Sequence, residues 1–519
     1  MLVVVSQTMF SDRQFTLRLL HTNDHHGHLE PVKMGALTLG GIAQRQTLVN
    51  QLRAESASAD EPLLLLSAGD IFQGTLYFNQ YLGQADLDFY NAMAYNAATI
   101  GNHEFDRGPQ VLADFIAGAE FPTVSANIEV DESSPLAGKI KPWVILKLKG
   151  EKIGIFGLTT EETSILSNSG AGVRFTNHIQ AAKQAVRELT SQGVNKIIAL
   201  THIGFPRDLE LASQVDGIDV VVGGHSHTPL GNISGATHPY PVVAKTPDGS
   251  PVLIVTDWEW GKYLGDLHLT FDRAGTLTDW AGKPHIVDAT IPPDPAFQAK
   301  LVTYAEPLQT LQQQVIGQTS VLLEGDRARL RTSETNLGNL VADAILAKTR
   351  PDGCQIAILN SGGIRISIPP GPVTVGQVLK MLPFGNTIAR LDLTGEQIKA
   401  ALEHGVSQVE LAMGSFPQVA GLQFVWNPHA PAGDRIVQIQ VQQQDGTFAP
   451  LQTEATYRVV TNDFLLKGGD GYSIFTQGNN QQDTGYMLVD VVSDYIHERS
   501  PVGPERKNRI VRFFRNGGT

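Results

Sequence analysis

Cysteine is nearly absent: Cys354 is the only one in 519 residues. A single thiol excludes an intramolecular disulfide and any thiolate cluster around a metal. Cys354 opens the apolar run Cys354-Gln355-Ile356-Ala357-Ile358-Leu359 with no His arranged around it, so it reads as a buried structural residue. Long hydrophobic runs are absent too, and no stretch approaches the roughly 20 apolar residues of a membrane span. Met1-Leu2-Val3-Val4-Val5-Ser6 is too short for the apolar core of an export signal, no Lys or Arg precedes it, and the run from Arg512 to Thr519 is not a lipid-anchor tail. As written, the sequence predicts a cytoplasmic protein without a membrane anchor, or a periplasmic or secreted one if the true start lies upstream. Basic charge is also scarce: 39 Lys and Arg against 52 Asp and Glu leave a formal net charge of −13. No broad basic field is left for nucleic acid or an anionic membrane, although a few cations in a cleft suffice for a small anionic substrate.

What is present is an ordinary globular composition, 42% apolar, in a chain long enough for two to four domains. Phe15–Leu20, Pro62–Ser67, Ala98–Ile100, Lys152–Gly157, Lys196–Leu200 and Ile218–Val222 read as strands, rich in Leu, Ile and Val and bounded by Gly, Asn or Asp. Helical spacing over His178–Gln192 makes residues 1–291 an α/β layered domain. At Ile291-Pro292-Pro293-Asp294-Pro295, Asp294 caps a new helix with Pro295 in its first turn. That helix carries Phe297, Leu301, Ala305, Leu308, Leu311 and Val315. It is expected to be kinked or divided by Pro307 and closed by Gly317, a linker over residues 292–318 placed to act as a hinge. Residues 319–519 restart as a mixed α+β unit. Leu337, Leu340, Val341, Ala344 and Ile345 mark one helix, Thr394-Gly395-Glu396-Gln397 is a capping box opening another over Glu396–Val406, and Arg435–Val441 alternates as a strand.

Four short motifs follow apolar runs: Thr22-Asn23-Asp24-His25-His26, Gly69-Asp70, Gly101-Asn102-His103-Glu104 and Gly223-Gly224-His225-Ser226-His227, with His202 alone before the last. Open α/β sheets place ligands at the carboxyl ends of strands, so the motifs can converge on one sheet edge. Any one of them alone is more often a hydrogen-bonded core or surface residue at a strand end; all four in order point to metal. Asp24 and His26, two apart, are expected on one side of the pleat, and His225 and His227 repeat the same extended period. That alternation turns His25 away, and His28 is set aside with it. Asp70 has two oxygens and is the natural bridge between two ions, while Asn102 offers an amide oxygen. This nitrogen and oxygen set suits Zn²⁺, Mn²⁺, Fe or Co²⁺ rather than Ca²⁺ or Mg²⁺. Two such divalent ions would suit phosphate-ester hydrolysis. Next to Asn102, His103 can face a substrate with Asp106 holding its other ring nitrogen, ready to stabilise an oxyanion or protonate a leaving group; otherwise it stands outside the reacting groups.

The metal motifs do not name the ester. In the second half, Arg331 and Arg365 offer forked guanidinium groups for phosphate or ribose oxygens. Phe384 and Phe464, beside glycines, can stack a base unless they are core. Asp470, in Gly468-Gly469-Asp470-Gly471-Tyr472, can accept from ribose hydroxyls unless that run is an ordinary turn.

The runs Leu20–His26, Gly69-Asp70, Gly101–Asp106, Thr201–Gly204 and Gly223–Thr228 resemble the 5′-nucleotidases of the calcineurin-like metallophosphoesterase superfamily, and the resemblance extends over nearly the whole chain. It implies a four-layer α/β/β/α metallophosphoesterase domain followed by a mixed α+β nucleotide-binding domain. It further implies one ion held by Asp24, His26, Asp70 and His227, another by Asp70, Asn102, His202 and His225, and a catalytic dyad of His103 and Asp106. The same resemblance gives Asn360 and the Phe384/Phe464 clamp to the base, Arg331 and Arg365 to phosphate and sugar, and Asp470 to the ribose. It implies a C-terminal domain that rotates to carry the nucleotide to the metals. There are departures: Ser333 stands where some relatives have a further Arg, Asn360-Ser361 replaces Asn-Gly, and Asp257-Trp258-Glu259-Trp260 occupies the place of a frequent Gln-Ala-Gly. The expected activity is hydrolysis of nucleoside 5′-monophosphates. Alternatives are other nucleotide esters (nucleotide sugars, 2′,3′-cyclic or 3′-nucleotides), thiosulfohydrolase chemistry, or nucleotide binding without catalysis.

Overall fold

A computed structural model describes residues 14–34 and 37–513; Met1–Ser6 and the tail beyond Phe513 lie outside the described residues. The chain divides into two compact units, one ending at Leu308 and the other starting at Gln309.

The first unit holds two six-stranded sheets. In spatial order the first runs Leu277–Ile286, Tyr263–Phe271, Phe15–Thr22, Leu63–Ser67, Ala97–Thr99, Thr123–Val124, the last four parallel. The second runs Val242–Lys245, Pro251–Val255, Val220–Val222, Ile197–His202, Glu151–Thr159, Trp143–Leu148, with its four central strands parallel. Alternation along these strands builds the layers. Leu17, Leu19, Leu64 and Leu66 of the first sheet share one core with Ile153, Ile155, Ile198, Leu200, Val220 and Val222 of the second. The opposite face of the second sheet, through Phe156, Ala199 and Val221, packs on Ala182, Leu189 and Leu211 of the helices His178–Ser191 and Phe205–Gln214. On the outer face of the first sheet, buried Arg18 donates to both oxygens of Asp266 at 2.9 and 2.8 Å and to the Leu52 carbonyl of the helix Ile42–Ser58 at 3.1 Å. The result is the α/β/β/α order expected.

The sheets approach closely at Gly157, where a Cβ would lie 2.0 Å from the Val124 carbonyl oxygen. A methyl group there has to push two backbones apart. Gly157→Ala is therefore expected to cost about 1–3 kcal/mol, as overpacking does, read as a lower urea midpoint; an unchanged midpoint would contradict this packing.

The helix Pro295–Gln312 runs through Pro307 as one element, so the expected division does not occur. It also ends earlier than expected. Val315 and Gly317 belong to the strand Val315–Thr319, paired with Thr374 and Val373. A short apolar run fits a strand as readily as a last helical turn, and pairing decided it.

In the second unit a five-stranded sheet runs Pro417–Ala420, Ile356–Asn360, Thr456–Asn462, Thr387–Thr394, Asn479–Met487. One face, through Ala357, Leu359 and Val460, shares a core with the helix Asn336–Thr349 and with buried Cys354. The other, through Ile356, Ile358, Leu391 and Val459, packs against the helix Gly395–Val406, whose Thr394–Gln397 capping box is present as expected. Among the described residues no helix is long and apolar enough to cross a membrane.

Candidate metal centre

Every candidate ligand lies at or just past the carboxyl end of a parallel strand. Asp24 and His26 follow Phe15–Thr22, Asp70 follows Leu63–Ser67, Asn102 follows Ala97–Thr99, His202 ends Ile197–His202, and His225 and His227 follow Val220–Val222. The pleat does not align Asp24 with His26 or His225 with His227, contrary to expectation. φ is +49° at Asp24, +51° at His26, +52° at Asp70, +75° at His225 and +47° at His227. These residues sit in left-handed turns, a region where Asp and His are enriched among the non-glycine residues that enter it. Glu104 ties the Asp70 turn to Gly101, just past the strand Ala97–Thr99. Its carboxylate accepts from the backbone N–H of Asp70, Ile71, Phe72 and Gly101 at 3.0, 2.6, 3.2 and 2.6 Å. Gly101 leaves the room for this approach, since a Cβ on it would meet Asp70 Oδ1 at 2.1 Å.

Two groups of side chains result. Asp24 Oδ1 lies 3.2 Å from His227 Nε2 and 3.8 Å from His26 Nε2, and the two imidazole nitrogens are 3.1 Å apart. Asp70 Oδ2 lies 2.9 Å from His202 Nε2, with His225 completing that group. Asp70 Oδ2 is also 3.9 Å from His26 Nε2, so one carboxylate stands next to both groups. The ring orientations are fixed from behind. His26 Nδ1–H donates to the Phe72 carbonyl at 3.2 Å and His202 Nδ1–H to the Ala68 carbonyl at 2.7 Å, which turns each Nε2 inward. His227 Nδ1 instead faces Glu259 Oε2 at 2.7 Å.

The electrostatics are those of a cation site. Burial works against charge on Asp24 and Asp70, yet the neighbouring imidazoles, His227 for Asp24 and His202 for Asp70, hold both carboxyls below their usual range. In return, although burial opposes it, Asp70 lifts His202 to about 9, and Asp24 with Glu259 raises His227. Burial lowers His26 and His225 to about 4, leaving them neutral donors at pH 7. Asn102 Oδ1 and His202 Nε2 are buried without a hydrogen-bond partner, and His202 Nε2 sits close to Asp70 Oδ2 but out of line with it. Orphaned buried polar atoms of this kind require an explanation, and a divalent cation supplies one. The residues fit the group.

His103 stands at the edge of the cluster, within ligand distance of His26 and Asp70. Its Nδ1–H donates to Asp106 Oδ2 at 2.6 Å, and Asp106 Oδ1 in turn accepts from Ser167 Oγ at 2.7 Å. Burial alone would lower the imidazole pKa; Asp106 and Asp70 outweigh it and raise His103 to about 10. His25 points away, bridging Arg45 at 2.9 Å and Asp86 at 3.2 Å, and His28 stacks on Trp260. Neither joins the cluster.

In the second unit Asn360 Nδ2 donates to Asp470 Oδ2 at 2.7 Å, and Asn462 Nδ2 donates to Asn360 Oδ1 at 3.0 Å. Phe384 and Phe464 are 49% and 42% exposed, so neither is core. The Arg365 guanidinium lies 5.4 Å from the Phe384 ring centre. Burial, Arg327 and Arg365 lower the pKa of Arg331, against an opposing pull from Asp470. Sequence reasoning gave no role to Glu104, Glu259, Ser167 or Asn462. Glu104 lay inside a motif and Glu259 inside a departure from the family pattern. Ser167, 61 residues from Asp106, carried no local signal.

Fold and site together define a calcineurin-like phosphoesterase, the family that residues 17–229 match, while residues 315–477 match the C-terminal domain of 5′-nucleotidases. The chain belongs to the 5′-nucleotidase family of metal-dependent phosphoester hydrolases. It is 38% identical to the 5′-nucleotidase of Diplobatis ommata, over 97% of this chain and 91% of that protein. It is 37% identical to the trifunctional nucleotide phosphoesterase YfkN of Bacillus subtilis, over 97% of this chain but only 35% of that longer protein. Among solved structures, the 5′-nucleotidase precursor from Thermus thermophilus is 46% identical with a TM-score of 0.63, covering 96% of this chain and 99% of that one.

Proposed function

We propose that the protein hydrolyses nucleoside 5′-monophosphates to nucleoside and phosphate at a two-ion centre. The observation that carries this reading is Asp70, one carboxylate beside two separate imidazole groups. Asp24, His26, Asp70 and His227 would hold one ion, and Asp70, Asn102, His202 and His225 the other. Their nitrogen and oxygen atoms suit Zn, Mn, Fe or Co. Divalent ions bound there supply Lewis-acid charge on phosphoryl oxygens and lower the pKa of a water nucleophile. His103 stabilises charge on the phosphoryl oxygens or protonates the leaving ribose oxygen, and Asp106 holds its Nδ1–H so that Nε2 faces the reaction. In the second unit Phe384 and Phe464 stack the base, Asn360 contacts it, Asp470 accepts from the ribose, and Arg331 and Arg365 take phosphate and sugar oxygens.

Phosphate release from AMP, UDP-glucose and 2′,3′-cyclic AMP, each with Mn²⁺ or Zn²⁺ titrated in, tests the reading; AMP turned over no faster than the other esters would overturn the monophosphate assignment. The trifunctional relative favours the second reading, a broader nucleotide-ester hydrolase, which that same panel separates. Phe384→Ala and Phe464→Ala are each expected to raise KM for AMP about 5-fold to 150-fold, from roughly 1–3 kcal/mol of lost stacking. Turnover of ribose 5-phosphate, which has no aromatic ring to stack, should be unchanged. Equal effects on both substrates would remove the clamp from the account.

A further inference from the structure

One carboxylate near the metal centre is placed unlike the others. Of the candidate ligands His26, His202 and His227, the first two rest their Nδ1 on backbone carbonyls, and His227 rests its Nδ1 on Glu259. Glu259 is buried, and its second oxygen, Oε1, accepts from Lys262 Nζ at 2.7 Å. That ammonium group is 0% exposed and lies 4.0 Å from the ring centre of Trp258 and 3.9 Å from that of Trp260. Two indole faces attract a cation held between them, and from there Lys262 can anchor the carboxylate without competing as a ligand.

The loop holding this arrangement is strained and tied down. Trp258 and Trp260 have φ of +81° and +60°, a region that bulky side chains rarely enter. Asn23 clamps the loop, accepting from Asp257 N–H at 2.9 Å and donating to the Trp258 carbonyl at 2.6 Å. Trp260 N–H donates to the Asp24 carbonyl at 2.7 Å. The segment that delivers Glu259 is thus fastened to the turn that delivers Asp24 and His26. Strain retained at such a point is a mark of positioning.

We infer that Glu259, anchored by the indole-caged Lys262, is a positioning residue that fixes the ring of His227 and strengthens it as a metal donor. The inference rests on the reading of His227 as a ligand. A carboxylate on the far nitrogen of a ligating imidazole sets its tautomer and raises its basicity, and loss of such a partner costs about 10–100-fold in metal affinity.

The test is Co²⁺ binding to the full chain in competition with a chromophoric chelator, with the visible Co²⁺ spectrum recorded and thermal unfolding followed in excess EDTA. His227→Ala is expected to bind one ion fewer. Glu259→Gln, nearly isosteric, is expected to bind the same number with one about tenfold to a hundredfold weaker, an altered Co²⁺ spectrum, and wild-type unfolding in EDTA. Lys262→Met should weaken the same ion less. Wild-type stoichiometry and affinity in His227→Ala would overturn the ligand reading itself. Loss of an ion in His227→Ala, together with wild-type affinity in Glu259→Gln, would overturn the inference alone. Should Glu259→Gln unfold early in EDTA with no affinity loss, its role is structural and the inference fails.

Discussion

Asp70→Asn is expected to lower turnover of AMP by on the order of 10³-fold or more and to reduce bound metal. Asn keeps the shape and can still accept from His103 N–H, which donates to Asp70 Oδ1 at 2.9 Å. What it lacks is the negative charge standing 2.9 Å from His202 Nε2 and 3.9 Å from His26 Nε2. Metal charge at a phosphoryl centre is worth several kcal/mol, and each ~1.4 kcal/mol is a factor of ten, so losing about 4 kcal/mol gives the stated fall. The single substitution is expected to weaken both ion positions because both lean on this one carboxylate. Steady-state kinetics with metal counted by elemental analysis checks it. Near-wild-type turnover with full metal content would sink the assignment of Asp70 as the shared ligand.

The second large effect is expected at His103. His103→Ala should lower kcat by about 10²–10⁴-fold, the usual span for a lost general acid or charge stabiliser, while metal content stays at the wild-type level. That split separates it from Asp70→Asn. Asp106→Asn should act in the same direction but less strongly, because the amide oxygen can still accept from His103 Nδ1–H. It loses the charge, however, that offsets the desolvation of the buried imidazole. A His103→Ala protein that keeps its kcat, or that loses its metal along with activity, would remove His103 from the chemistry.

Much of this was legible in the sequence, in places for a reason the structure replaces. The parallel strands could be found because Leu64–Leu66 and Val220–Val222 are short apolar runs cut off by Gly and Asp, which is what a doubly covered strand looks like. Convergence of Asp24, Asp70, His202 and His225 followed from their placement at strand ends. The turn geometry did not follow, since an Asp-x-His pattern reads as an extended pair and nothing in the letters reports a positive φ. Asp24 and His26 do come together, but through turns with positive φ instead of a pleat. Partners distant along the chain, such as Ser167 on Asp106 and Glu259 on His227, were invisible because no periodicity connects them. Val315 failed in the opposite sense: its helical spacing was real, but its pairing with Thr374 prevailed.

The left-handed turns under Asp24, His26, Asp70, His225 and His227 have a consequence for protein engineering. At about 1–2 kcal/mol for each such residue, five of them cost on the order of 5–10 kcal/mol, comparable to the whole net stability of a typical domain. Copying the side chains onto straight strand ends of another scaffold would therefore reproduce the letters and not the centre. A successful transplant has to bring the turns, the Glu104 clip that holds the one at Asp70, and enough surrounding core to keep the backbone where an isolated peptide would not stay.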